Sequence, residues 1–193
     1  MVISFDLDDV LAEFQRGWIQ FNKLVYNEDY AYEDFTVFNY EIVMGIEKDE
    51  VYKRIFEFYH HESFEELEPV RGMLEITKKL VVSNELHVLT SRSSEIADIT
   101  KRWISKLYPG VFKKIHFTGQ ISRNGFNHSV TKGDICQQIG AAFHIDDAAI
   151  HFKDIVAAGT QVIVYTRPWN RHVDVGKMPR IETPQELYLL LQK

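Results

Sequence analysis

Short apolar runs punctuate the chain: "MVISFDL" at 1–7, "ELHVLTS" at 85–91, "KIHFTG" at 114–119, "AAFHIDD" at 141–147 and "QVIVYT" at 161–166. Each has strand length, and most end in Asp, Thr or Ser. Between them, apolar residues recur at helical spacing: Met73, Leu74, Ile76 and Leu80; Ile96, Ile99, Trp103, Ile104 and Leu107; Ile135 to Ile139; Ile150 to Ala157. Strands alternating with helices predict parallel pairing through right-handed crossovers, hence a doubly wound α/β sheet covered on both faces. The closing "TPQELYLLLQK" predicts a capped helix, with Thr183 as N-cap, Pro184 at the first helical position and Glu186 at the third.

The alternation breaks over residues 14–68, which hold 14 of the chain's 25 aromatic residues. Phe14, Trp18, Phe21 and Val25 recur at helical spacing, as do Val51, Ile55 and Phe58. We read a small, mostly helical insertion over 14–69 with a core of its own, set into an α/β domain formed by 1–13 and 70–193. "EPVRGM" is the return linker.

Length and composition narrow the function. A chain of 193 residues supports one main core with an insertion, not two large domains. A net charge of -6 argues against long nucleic acids and anionic membranes as partners. The lone Cys136 excludes an internal disulfide and reads as a small helix residue in the core. Asp6, Asp8 and Asp9 interrupt the first apolar run, and no stretch approaches the roughly 18 apolar residues of a membrane helix. The expectation is a cytoplasmic protein; the sequence leaves its oligomeric state open.

The chemistry sits at the strand ends, where open parallel sheets bind ligands. Asp6 and Asp8 follow the first strand, Thr90 and Ser91 the second, Asp146 and Asp147 the fourth, and Lys132 starts the helix before that fourth strand. Carboxylates crowded on one rim repel each other and lose hydration unless a hard divalent cation sits among them, and Mg²⁺ takes such oxygen ligands. A lysine and a hydroxyl on the same rim supply what a phosphoryl group needs. His60 and His61 carry no metal-ligand pattern.

"DLDDV" at 6–10, "VLTSR" at 88–92, Lys132 in "VTKGD" and "HIDDAAIHF" at 144–152 resemble, in order, the four motifs of the haloacid dehalogenase (HAD) superfamily of phosphohydrolases, with its Rossmann-type core. The resemblance implies that Asp6 is the nucleophile forming an aspartyl-phosphate and Asp8 the general acid and then base. It implies that Thr90 and Lys132 hold the phosphoryl oxygens, with Ser91 assisting. Asp6, the backbone carbonyl of Asp8 and a fourth-motif carboxylate would bind Mg²⁺, Asp146 being the first choice and Asp147 the second. Many members carry Gly where this chain has Asp9; Asp tolerates a turn conformation there, and Asp9 reads as facing solvent.

The aromatic insertion, the opening "FDLDDVLAEF" and the late "TRPWNR" resemble the 5'(3')-deoxyribonucleotidases. By that resemblance the substrate is a nucleoside monophosphate, its base stacked among aromatics of the inserted cap. Phe14 and Trp18 are the candidates to face the leaving group, and Arg167 and Asn170 to approach the phosphate. Two alternatives stand beside it: a phosphatase for a sugar phosphate or another small metabolite, and a non-catalytic phosphate-binding or regulatory protein of the same fold.

Overall fold

The computed structural model describes residues 1–119, 121–122, 125–126 and 130–192. A six-stranded sheet runs in the order β3-β2-β1-β6-β7-β8, with β1 (Val2–Phe5), β2 (Glu85–Thr90), β3 (Lys114–Phe117), β6 (Ala141–Asp146), β7 (Gln161–Tyr165) and β8 (Arg180–Ile181). Every neighbouring pair is parallel. β4 (Ile121–Ser122) and β5 (Gly125–Phe126) form a separate antiparallel pair. The predicted alternation holds: α5 (Met73–Leu80), α6 (Ala97–Leu107), α7 (Lys132–Ile139), α8 (Phe152–Ala157) and α9 (Pro184–Leu191) follow the strands in turn. The Thr183 side chain caps α9 as expected, accepting from Glu186 N while the Glu186 carboxylate accepts from Thr183 N.

β1 lies at the centre, between β2 and β6, where the strand order reverses. The carboxyl ends of β1 and β6 are therefore side by side, and Asp6 N donates to Ile145 O at 2.8 Å.

The insertion holds α1 (Phe14–Tyr26), α2 (Tyr40–Met44), α3 (Lys48–Tyr59) and α4 (Glu62–Glu65). Its two ends are clamped together: Glu13 N donates to Glu68 O at 2.9 Å and Val70 N to Leu11 O at 2.8 Å. Its aromatics do not form a core of their own. Trp18, Phe21, Phe58 and Phe64 belong to the same buried cluster as Ile3 and Phe5 of β1, so packing continues from the insertion into the sheet. A second cluster, with Cys136, Phe152 and Val162, covers the other face, which puts Cys136 in the core as expected.

Two features of the insertion depart from the apolar pattern. Val25 is exposed at 46%, and Asn22 takes the buried position on α1 instead. Asn22 accepts from Arg54, a buried arginine that also pairs with Glu28 and Glu50 and lies over the Tyr26 ring. No helix among the described residues is long and apolar enough to cross a membrane.

A histidine pair away from the strand ends gives the fold a pH dependence. His116 on β3 stacks on His87 of β2, with Nε2 2.9 Å from His87 Nδ1. Burial pushes the His116 pKa down to about 4, below the roughly 6.5 of an unfolded chain. Between these values the unfolded chain binds more protons, so the contribution of neutral His116 is present above about 6.5 and lost as pH falls through about 4. We expect His116→Gln to gain on wild type by up to about 1.4 kcal/mol per pH unit as pH falls through that window. Urea midpoints at pH 7, 6 and 5 read the difference directly, and a constant gap would refute it.

Candidate active site

The chain leaves β1 through Asp6 and turns sharply. Leu11 N and Ala12 N both donate to Leu7 O, Asp9 N donates to Ala12 O, and Asp9 takes a left-handed conformation with φ 58. Asp tolerates that region better than most side chains, which is how the turn survives without Gly. Asp9 does not face solvent. It is buried, and its Oδ1 accepts from Gln15 N at 3.0 Å in the first turn of α1. The sequence gives no hint of this, because the partner is a backbone N–H supplied by the insertion. Burial pushes the Asp9 carboxyl up to about 8, against the opposing pull of Arg167.

Lys132 is the hub of the floor. It opens α7 behind a capping box formed by Thr131 and Asp134, and its side chain is buried. Nζ lies 2.8 Å from Asp6 Oδ1 and 2.8 Å from Asp146 Oδ2. The next residue must be small: a Cβ on Gly133 would lie 2.4 Å from the Asp154 carbonyl oxygen, so glycine lets α7 approach α8. Burial opposes the charge on Lys132, but Asp146 and Asp6 outweigh it and raise its pKa.

The carboxylates around it differ in state. Burial, reinforced by Asp146 and Asp8, pushes Asp6 up to about 7 against Lys132. Asp146 is buried too, but Lys132 and the His144 hydrogen bond overcome the burial and hold it well below the usual range. Its oxygens are engaged, Oδ1 by Ala148 N at 2.9 Å and Oδ2 by Lys132 and His144 Nε2. Asp147 is pushed well above the usual range by burial and by Asp6, Asp146 and Asp9. Its Oδ2 accepts from Trp169 Nε1 at 2.7 Å, while Oδ1 is buried with no partner among the described residues.

Asp6, Asp146 and Asp147 each bring an oxygen within 4.8 Å of the others. An all-carboxylate set with surplus negative charge and one orphaned oxygen fits a hard divalent cation. The orphaned oxygen belongs to Asp147, the second choice from the sequence.

Asp8 stands across the floor, gripped by an arginine that sequence reasoning passed over. Arg92 Nε and Nη2 bind the two Asp8 oxygens at 3.0 and 2.5 Å, Nη1 donates to Thr100, and the guanidinium lies 4.6 Å from the centre of the Phe64 ring. The available signal was the lone cation in "VLTSR", directly after the strand-end hydroxyls. Because the grip is bidentate, Arg92→Ala is expected to lower kcat about 100-fold with little change in KM, and Arg92→Lys to recover little. Steady-state kinetics on both variants check it; full recovery by lysine would contradict a geometric role.

A cleft of about 580 Å³ opens above this floor. Asp6, Asp8, Asp147, Ser91 and Phe14 line it, with Phe38, Tyr52 and Tyr59 of the insertion on the facing wall. Phe38 and Tyr52 were not singled out from the sequence, where they are two aromatics among many. Thr90 lies behind Ser91, fully buried, its Oγ1 accepting from Arg92 N. His151 also lines the cleft, with Nε2 3.3 Å from Ser91 Oγ; burial pushes its pKa down to about 3.

Of the four substrate candidates, Phe14 and Asn170 line the cleft and Trp18 and Arg167 do not. Trp18 is fully buried in the insertion, stacked on Phe21 and Tyr40, and does not line the cleft. The Arg167 guanidinium donates to the Asp9 carbonyl and covers Tyr165. Asn170 reaches the cleft, but its amide nitrogen is spent on the carbonyls of Asp147 and Tyr165.

Comparison with known proteins gives a consistent picture. The model of the family described as 5' nucleotidase, deoxy (pyrimidine), cytosolic type C matches residues 1–193. No curated protein matches the sequence. Among solved structures, a haloacid dehalogenase-like hydrolase from Streptococcus pneumoniae is similar with TM-score 0.69 and 15% identity, covering 99% of this chain and 98% of that one. A HAD-hydrolase from Bacillus subtilis, solved with magnesium bound, has TM-score 0.66 and 18% identity over 100% and 98% of the two chains. A HAD family hydrolase from Deinococcus radiodurans, holding phosphate and sodium, has TM-score 0.67 and 14% identity over 98% and 94%. At these identities the likeness speaks for the fold, which is that of the HAD hydrolases.

Proposed function

Because the chain belongs to the 5' nucleotidase, deoxy (pyrimidine), cytosolic type C family, we propose that it is a Mg²⁺-dependent phosphatase that hydrolyses nucleoside monophosphates in the cytoplasm. The observation that carries this reading is the cluster of Asp6, Asp146 and Asp147, with Lys132 paired to the first two, beneath a cleft that Asp6 and Asp147 line together with aromatics of the insertion. An oxyanion-binding floor suits a phosphate, and a wall with Phe38 and Tyr52 suits the π-face of a base better than a sugar.

In this mechanism an Asp6 oxygen attacks phosphorus while the bond from phosphorus to the ester oxygen breaks. Asp8, held by Arg92, gives its proton to the leaving oxygen. Water then attacks the aspartyl-phosphate; Asp8 takes a proton from it, and the bond from phosphorus to the Asp6 oxygen breaks to release inorganic phosphate. Lys132, fixed between Asp6 and Asp146, offers positive charge to the phosphoryl oxygens, and Ser91 adds a hydroxyl at the cleft surface. Asp6, Asp146 and Asp147 would hold Mg²⁺, which supplies further charge neutralisation when bound. The segment 14–69 acts as the cap that selects the leaving group.

Phosphate release across deoxyribonucleoside and ribonucleoside monophosphates and sugar phosphates, with and without chelator, tests the proposal. We expect Mg²⁺-dependent release, preferentially from the deoxyribonucleotides, and loss of activity in chelator. Release mainly from sugar phosphates would discard the nucleotide assignment and keep the chemistry. Activity unchanged by chelator would discard the metal.

A further inference from the structure

The loop after β7 brings Trp169 and Asn170 to the edge of the cleft, and both also hold Asp147. Trp169 is 6% exposed, and its indole N–H is the sole partner of the Asp147 carboxylate among the described residues: Oδ2 accepts it, and Oδ1 accepts nothing. Asn170 holds the same residue from behind, its amide donating to the Asp147 carbonyl at 2.8 Å. Asn170 is fixed in turn, its Oδ1 accepting from Arg167 N and Arg180 Nη1. Asp147 is thus gripped at both carboxylate and backbone by two consecutive residues of one loop.

A carboxylate with one oxygen tied has few ways to turn the other. Fixing Oδ2 on a buried indole restricts how the carboxylate can turn, and an Asp147 carboxylate oxygen lies within 4.8 Å of those of Asp6 and Asp146. Such an arrangement lowers the entropy lost when a cation is captured, and partners of metal ligands are worth about 10- to 100-fold in metal affinity. The same indole meets the insertion on another side: the Tyr32 ring packs edge-on against it, with centroids 5.8 Å apart and planes at 65°. Tyr32 belongs to the segment between α1 and α2, and Trp169 to the core. One rigid ring therefore touches both the metal-side carboxylate and the insertion.

We propose that Trp169 is a positioning residue that sets Asp147 for metal capture and, through Tyr32, couples the metal site to the cap. The proposal rests on the reading of Asp6, Asp146 and Asp147 as a Mg²⁺ site, but not on the identity of the phosphate ester. By reciprocity, a cation that fixes Asp147 favours the cap position in which Tyr32 meets the indole, and loosening the cap weakens the cation by the same factor.

The test is Mg²⁺ affinity of the substrate-free protein, measured by calorimetry. Trp169→Phe keeps the ring and the Tyr32 contact but removes the N–H; it is expected to weaken Mg²⁺ binding by about 10- to 100-fold. Tyr32→Leu keeps the indole bond and removes the ring contact; it is expected to weaken binding by about two- to tenfold. Combined with Asp147→Asn, Trp169→Phe should cost nothing further, since it acts through that carboxylate. An additive double mutant, or Trp169→Phe with wild-type affinity, would overturn the positioning role. Tyr32→Leu with wild-type affinity would overturn the coupling to the cap. In the wild type, the Trp169 indole N–H resonance should shift along the Mg²⁺ titration; a resonance that stays still while Mg²⁺ binds overturns the proposal without any variant having to fold. Absence of Mg²⁺ binding by the wild type would instead overturn the metal reading itself.

Discussion

Asp6→Asn is expected to abolish phosphate release, by about 10⁴-fold or more, while the protein stays folded. The amide matches the carboxylate in shape but has no charge with which to attack phosphorus. Stability should respond in the opposite direction. Burial, Asp146 and Asp8 together push Asp6 up to about 7, which means its ionised form is a strain on the metal-free site near neutral pH. Asparagine removes that strain and can still accept from Lys132 through its carbonyl. The variant should therefore have a Tm in chelator no lower than that of wild type, the trade between activity and stability common at catalytic sites. Circular dichroism melts and phosphate release on the same preparation check both halves. A folded variant that retained wild-type turnover would remove Asp6 from the mechanism.

The second large effect belongs to Lys132. Its buried ammonium lies 2.8 Å from both Asp6 and Asp146, so Lys132→Met removes the cation paired with both. Breaking a buried ion pair on one side costs about 3–5 kcal/mol, which in a domain of this size lowers Tm by about 10 °C. Phosphate release should fall by at least about 10³-fold, because the phosphoryl oxygens lose their fixed cation. Mg²⁺ should raise the Tm of this variant more than that of wild type, since a divalent ion is then the main counter-charge for the rim. Equal stabilisation of the two proteins would argue that metal and lysine do not share those carboxylates.

The parts of this molecule that a linear reading reaches are those in which a residue's role depends on its immediate neighbours. Strands that end in Asp, Thr or Ser, the Thr183 cap of α9 and the alternation of helix and strand are local signals, and they mark the sheet well. The two-residue β8 was missed because Arg180 and Ile181 carry no apolar run. Side-chain partners chosen across the fold escaped. Asp9 points inward because Gln15 N awaits it. Arg92 is buried because Asp8, Thr100 and Phe64, from three separate segments, surround it. The partner of the Asp147 carboxylate could not be inferred either, because Trp169 reaches it from far along the chain. Trp18 shows the complementary limit: helical spacing identified a buried aromatic face, but could not say which of its rings reaches the cleft.

The central place of β1 sets a schedule for synthesis. Val2 pairs with Glu85 on one side and Ala141 on the other, so β1 must await partners made much later along the chain. Such distant pairings are slow, since long loops must close before any contact rewards them. On the ribosome, the strand that leads to Asp6 and the aromatic segment that shares its packing emerge long before β6 can cover them. A nascent chain that stops short of β6 lacks both Asp146 and Asp147, and it exposes the apolar flank of β1. Refolding from denaturant should accordingly restore activity only in the slowest phase that restores native structure, and premature truncation should give aggregation-prone fragments rather than a weak enzyme.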